Sequence, residues 1–526
     1  MNRTDNEFSG KIHGSGCSCC NGNHGNISNE ITRRQFVRVT GTSALGAVAM
    51  SGLSWSALIA GQTIEKSTIQ RQPLIVKPIF TYEIPTRRDQ TSWRSWGGIQ
   101  TEKDADEEVV RIQGELKALN SQADFPVHFL PVASVRNSQD LNNIGDLESS
   151  DVFLIYAAGG GMDKFETLNK MGKNMIFFCR HKSGPVYLWY EIISPRFLRK
   201  HTDKLAVKGI DEDDVVIDSQ DELMWRLRAL CGLKNTLNSR ILAIGGPGAW
   251  SQPEDVVLKL VQEKFKLNIQ TVSYEELGKL ITEARSDNSV ITRSVNRADK
   301  YLQDAEIKLE TKRQFVENCF LLEDILKRIM EKFNCSAVTI NNCMGTIMPL
   351  AETSACLTLS LLNDAGYLAF CESDFVVVPS GILLAHISGK PVFLNDPTYP
   401  HNKLITLAHC TAPRRMDGKN LEPARILTHF ESDYGAAPKV EMLIGQTVTN
   451  IMPDFAFNRN VGLSGKIVDN TSLDICRSQI DISFDCDSKT VAEQMPGFHW
   501  ITAYGDYIRE TGYALKKIGI KFDHLV

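Results

Sequence analysis

GYLAFCESDFVVVPSGILLAHISGKPVFLNDPTY, residues 366–399, is the stretch on which the reading of this chain turns. GYLAFCE is a short apolar run ending on Glu372, the pattern of a buried strand. SDFVVVPSGILLAHISG has the length and end signals of a helix, with Ser373 or Asp374 near its start and Gly389 beyond its end. KPVFLND is a second apolar strand, closing on Asp396 before Pro397. A strand–helix–strand crossover makes the two strands parallel, so both acids are expected at one carboxyl-terminal edge. As neighbours the strands would lie about 5 Å apart, at the edge where ligands of open α/β sheets gather. Two acids ending apolar strands are costly unless a metal, a base or hydrogen-bond donors meet them. The same positions also suit plainer tasks, Glu372 capping the following helix and Asp396 opening a turn.

Outward from this stretch the pattern alternates between short apolar runs and amphipathic ones. DVFLIYAAGGG (151–161), NMIFFCR (174–180), RILAIGGPGAW (240–250) and SAVTINNC (336–343) read as strands. DELMWRLRALCGL (221–233), DVVLKLVQEKF (255–265) and FVENCFLLEDILKRIMEKF (315–333) carry apolar residues at helical intervals. Such alternation argues for parallel sheets with crossover helices. The last 130 or so residues differ, with Pro, Asp and Gly turns between β-rich pieces such as ILTHFE, KVEMLIGQTVTNI and DISFDC. The expectation is an α/β protein of two parallel-sheet, Rossmann-like domains plus a C-terminal, mainly antiparallel β domain closed by a helix at 507–518. The expected boundaries are 1–73 for a leader and linker, 74–235, 236–388 and 389–526.

With 526 residues, 42% hydrophobic and 23% charged, the chain is too long for one core. A net charge of −5 advertises no surface for nucleic acid or anionic membrane. The 13 cysteines follow no metal-finger rhythm. Cys179, Cys335, Cys343 and Cys371 sit in apolar runs as small hydrophobes, which argues against a disulfide-stapled fold. Cys17, Cys19 and Cys20, beside His13 and His24, form a short tract that hints at metal only by composition. Arg33 and Arg34 precede the weakly apolar GTSALGAVAMSGLSWSALIAG, the pattern of a twin-arginine export signal cleaved near Ala60. The run lacks the hydrophobicity of a spanning helix. Export to a periplasmic or other extracytoplasmic space is expected, the cytoplasm if the signal is unused.

The run CESDF…LLAHISGKPVFLNDP resembles a segment of the L-fucose isomerase/L-arabinose isomerase superfamily, nearest its shorter fucose isomerase-like branch. TSACLTLSLLNDAGYLAF upstream looks like the helix and strand leading into that segment. LAHC (407–410), RILTHFE (426–431), IGQTVTNI (444–451), DICRSQ (474–479) and the closing PGFHWITAYGDYIRETGYALKKIGIKF are similar to its C-terminal module. The resemblance covers roughly residues 150–526, is strongest after 340, and finds no counterpart in 74–150. It implies a divalent cation, Mn²⁺ or Mg²⁺, held by Glu372, Asp396 and His499, with the two acids also moving protons. It implies an aldose–ketose isomerase working through an enediol on a sugar of L-fucose or L-arabinose type, assembled as a homo-oligomer. Two carboxylates and an imidazole suit a hard cation with positions left open for substrate oxygens.

Other residues weigh less. His409 and His429 lie in strand-like runs, where a core or supporting histidine is the simpler reading. Asp374 suits either a helix cap or an acid orienting a ligand. Arg477 suits a carboxylate partner or a surface pair. The loops GGGMDK and GGPGAWS place Lys164 and Ser251 where a dinucleotide fingerprint needs a third small residue, so no nicotinamide cofactor is expected. An exported sugar-binding protein on the same scaffold, without isomerase activity, is the alternative.

Overall fold

The structure, a computed structural model, describes residues 47–49, 53–59, 68–159, 163–187 and 210–526. Arg33, Arg34, Cys17, Cys19, Cys20, Ala60 and the glycine loop at 160–162 lie outside the described residues. In chain order the strands are β1 (Ala47–Ala49), β2 (Leu74–Thr81), β3 (Val127–Phe129), β4 (Ala133–Val135), β5 (Val152–Ala157), β6 (Asn174–Cys179) and β7 (Val215–Ile217). All but β1 form one wholly parallel sheet, ordered β3-β2-β5-β6-β7 with β4 also on β2. Its centre is nearly continuous apolar sequence because parallel strands are covered on both faces; every residue of β5 is buried.

A second parallel sheet takes β8 (Arg240–Ile244), β9 (Asn268–Val272), β11 (Ala337–Ile340) and β12 (Leu368–Cys371), while β10 (Ile307–Leu309) lies elsewhere. Its order is β1-β9-β8-β11-β12. β1 sits at the edge with Ala47 opposite Ile269. The short helix Trp55–Ile59 packs against the same layer through Trp55 and Leu58, 5% and 4% exposed. The Trp55 backbone N–H donates to Glu283 at 2.7 Å, and Arg328 lies 5.6 Å from its indole. Residues assigned from sequence to the leader thus pack on this sheet.

The remaining strands are β13 (Phe393–Pro397), β14 (Leu404–His409), β15 (Ala424–Leu427), β16 (Ala437–Val440), β17 (Thr447–Pro453), β18 (Arg459–Asp469), β19 (Ser478–Ser483), β20 (Trp500–Tyr504) and β21 (Lys521–Leu525). β10, β15 and β16 make a small sheet. The order β17-β20-β13-β14-β19-β18, with β18 returning to β17, closes an antiparallel barrel. Trp500, Phe393, Leu407, Val448, Leu463 and Ile480 belong to its buried core. A buried ladder fixes register across it: Asn395 donates to Thr502 Oγ1 at 2.9 Å, and Thr502 donates to Asn450 at 2.7 Å.

Mixed α/β architecture with a separate antiparallel unit is therefore present, but two expectations need correction. The crossover does not return to the parallel sheet. β12 pairs parallel with β11, whereas β13 pairs antiparallel with β14 and β20 in the barrel. The reason lies in the helix between them, Val378–Ser388, which is buried at every position. A helix apolar all round needs cover on all sides, and this one lies between the parallel sheet, the barrel strand β20 and the helix Gln220–Thr236. A Cβ on Gly232 would stand 2.3 Å from Ile387, so the two helices approach as closely as they do only because that residue is glycine. The second correction is at the end of the chain. The helix Ile508–Lys517 does not close the domain: after a turn at Gly519 (φ 72°), β21 adds in parallel to β18.

Among the described residues no single helix is long and apolar enough to cross a membrane. Within the buried helix, His386 meets Thr236 Oγ1 at 3.2 Å. Burial, then the charge of Arg71, hold its imidazole down at about 3, against an ordinary 6.5. The unfolded chain therefore binds the extra proton between these values. Stability present above pH 6.5 is lost as pH falls toward 3, by up to ~1.4 kcal/mol per pH unit. Urea midpoints should fall less steeply over this range in His386→Gln than in the wild type; parallel slopes would remove His386 from the acid response.

Candidate functional site

The two acids are brought together even though their strands are in different sheets. Glu372 follows β12 directly, and both it and Ser373 adopt left-handed backbone, φ 67° and 49°. Two consecutive non-glycine residues in this region cost about 1–3 kcal/mol each and persist only where their surroundings impose them. Here the surroundings are explicit. The Ser373 N–H donates to Thr339 Oγ1 at 3.0 Å, the Gly248 N–H donates to the Ser373 carbonyl at 3.0 Å, and the Phe375 N–H donates back to the Gly248 carbonyl at 3.0 Å. A side chain at Gly248 would press on the Ser373 carbonyl, its Cβ only 3.3 Å away. The GGPGAWS loop thus clamps the turn that carries Glu372.

His499 immediately precedes β20. Its Nδ1–H donates to Asp374 Oδ2 at 2.7 Å, which leaves Nε2 facing the acids. Nε2 lies 3.3 Å from Glu372 Oε2 and 3.2 Å from Asp396 Oδ1. The ring is packed by Trp250 and Phe498, centroids 4.9 and 5.0 Å away and nearly perpendicular, while Trp250 and Phe498 stack on each other at 4.9 Å. His409, at the end of β14, points Nε2 toward Glu372 Oε1 at 3.6 Å, and its Nδ1 meets Thr411 Oγ1 at 3.0 Å. The hairpin β13–β14 brings Asp396 beside His409, with Asp396 opposite Ala408.

Electrostatics follow from the crowding. Burial pushes Asp396 up to about 6, against the pull of His499 and His409. Burial would raise Glu372 too, but contact with His409 and His499 outweighs it and holds this carboxyl below its ordinary value. Burial disfavours the imidazolium of His499, yet Asp374 and Glu372 overcome it and leave the ring well above its ordinary value. His409 is raised in the same way by Glu372 and Asp396.

Glu372 Oε2, both Asp396 carboxylate oxygens, His409 Nε2 and His499 Nε2 are buried without a hydrogen-bond partner. Buried polar atoms are ordinarily paired, so five orphans in one place mark a space meant for something positive and multiply bonding. Neighbouring donors that share a cation at about 2.1 Å stand a little over 3 Å apart, which matches the 3.2 and 3.3 Å separations around His499. Among the described residues, donor atoms that all lie within 4.8 Å of one another belong to Cys371, Glu372 and His409. A closed salt-bridge network is the competing account, but it would leave charge-assisted contacts nearer 2.8 Å and no orphaned oxygens.

Sequence reasoning named Glu372, Asp396 and His499, and weighed Asp374 evenly; it favoured a core or supporting role for His409. Nothing in the sequence marked Trp250, whose place is set by packing alone. His429 stays out, its Nδ1 on Ser432 Oγ at 3.1 Å. Arg477 donates to the Thr428 carbonyl at 2.7 Å and covers Phe430, so it holds a loop rather than an acid.

No family model and no curated protein matches the chain. Among solved structures, a carbohydrate transporter from Acidothermus cellulolyticus 11B in complex with myo-inositol aligns over 61% of this chain and 89% of its own. The identity is 10% and the TM-score 0.14, too low to argue from.

Asp374 fixes which nitrogen of His499 is free, as acids behind metal-binding histidines do. Asp374→Asn should therefore weaken Mn²⁺ binding about 10- to 100-fold while leaving the circular dichroism spectrum unchanged. Unaltered affinity by calorimetric titration would show that the contact serves packing only.

Proposed function

We propose that the chain is a divalent-metal-dependent aldose–ketose isomerase of the L-fucose/L-arabinose isomerase type, acting on a small neutral sugar. The observation that carries this reading is the convergence of five polar atoms without hydrogen-bond partners, from Glu372, Asp396, His409 and His499. The sequence resemblance supplies the reaction class, and the donor set suits Mn²⁺ or Mg²⁺. Assembly as a homo-oligomer and export by the twin-arginine route belong to the same proposal.

The chemistry asked of the residues is a proton moved between C2 and C1 of the open-chain sugar. The bound cation would polarise the sugar carbonyl and favour charge on O1 and O2. Glu372, kept ionised by its two imidazole neighbours, removes the proton from C2 and returns it at C1. The proton between O1 and O2 falls to Asp396, the partner acid that shares His499 Nε2 with Glu372. His499, locked by Asp374, and His409, locked by Thr411, hold their Nε2 atoms fixed and spare the site reorganisation during reaction.

A panel of aldoses incubated with the protein and Mn²⁺ should give ketose from at least one sugar. Glu372→Gln should lower that conversion by about 10²- to 10⁴-fold, the usual worth of a positioned base. Sugar binding without conversion would turn the reading to a binding protein, and full activity in the variant would remove Glu372 from the chemistry. Separately, Mn²⁺ at a hundred times its Kd should add about 2.7 kcal/mol to unfolding stability, and His499→Gln should abolish most of that gain. A gain that survives the substitution would place the ion elsewhere.

A further inference from the structure

Glu372 faces two ways. Its Oε2 is directed at His499 Nε2, 3.3 Å away, beside Asp396. Its other oxygen, Oε1, lies 3.6 Å from His409 Nε2. Beside His409 stands a donor the proposed reaction leaves unused: a Cys371 sulfur, a Glu372 oxygen and a His409 nitrogen all lie within 4.8 Å of one another. Cys371 and His409 are 6% and 4% exposed, so water does not fill the space freely. The His409 Nε2 is an orphan in its own right. The His409 Nδ1 meets Thr411 Oγ1 at 3.0 Å, so Nε2 is the ring nitrogen that faces Glu372.

We infer that the chain holds a second, borderline-soft divalent cation of the zinc type between Cys371, Glu372 and His409, bridged through Glu372 to the cation of Glu372, Asp396 and His499. The inference rests on the proposed function only in that both ions share Glu372. Three arguments lead to it. A thiolate beside an imidazole selects zinc or cobalt over magnesium or manganese, so the two donor sets differ in the ion they prefer. A carboxylate with one oxygen on each side is the usual bridge in two-metal centres, whose ions stand about 3.5–4 Å apart. The left-handed turn at 372 and 373 gives such a bridge its rigidity, since it is imposed by Thr339 and Gly248 rather than by either ion. Binding converts the Cys371 thiol to a metal-bound thiolate and releases one proton, the atoms balancing without any oxidant.

Co²⁺ serves as the probe, added to metal-free protein while bound equivalents and absorbance are followed together. Two equivalents should bind, one of them giving the intense near-ultraviolet band of cobalt–thiolate bonding. Cys371→Ser should lose that band and one equivalent. Because that variant alters a buried strand end, His409→Gln is the second test and should weaken formation of the band at least 10-fold. Asp396→Asn should keep the band and lose the other equivalent. One equivalent with no thiolate band would overturn the second site and leave the proposed function standing. One equivalent with a band indifferent to Asp396→Asn would uphold the thiolate site and count against the proposed function instead. A band that survives Cys371→Ser would assign it to another thiol and overturn the inference.

Discussion

A hydrogen bond of 2.7 Å between His499 and Asp374 joins parts of the chain 125 residues apart. On one side of it is the turn that ends β12 in the parallel sheet; on the other is the lead-in to β20 of the barrel. The contact is buried and charge-assisted, the kind whose loss costs several kcal/mol because each partner is left alone in a poor solvent. The whole arrangement of the carboxylates depends on it, since Glu372 and Asp396 come from layers that share no strand pairing. His499 Nε2 is the point common to both.

The helix Val378–Ser388 is what lets two such layers meet. It leaves the parallel sheet after Glu372 and delivers the chain to the barrel before Asp396, with every side chain buried on the way. Its fit is tight. Gly381 allows Phe370 of β12 and Ile501 of β20 to approach, and Ser380 accepts a hydrogen bond from Asn460 of β18 at 3.0 Å. Interiors packed like this do not deform smoothly. The distance between the two acids is therefore set by the dimensions of a close-packed helix rather than by flexible loops.

Strain and order are linked at the same place. The left-handed pair Glu372–Ser373 is unfavourable in isolation and is held by Thr339 and Gly248. Each imidazole has its Nδ1 engaged, His499 by Asp374 and His409 by Thr411. Lone pairs fixed before any ligand arrives need no reorganisation when it does, which is where catalytic and metal sites derive their strength. The cost shows as five buried atoms without partners.

Residues 366–399 read as a strand, a helix and a second strand, the two strand runs closing on Glu372 and Asp396, and all three elements are present. Hydrophobic period and end signals are local properties, so they survive as text. The same logic located the parallel sheets and the antiparallel region and drew attention to Glu372 and Asp396, whereas His499 came from the family resemblance. It placed β13 beside β12 because a crossover usually returns to its own sheet. Only the tertiary structure sent β13 into the barrel, since that choice depends on burying a helix apolar on every face. The same holds for His409, Cys371 and Trp250. Their meeting with Glu372 is decided by how separate layers pack, a matter of distances between segments that one-dimensional spacing does not carry.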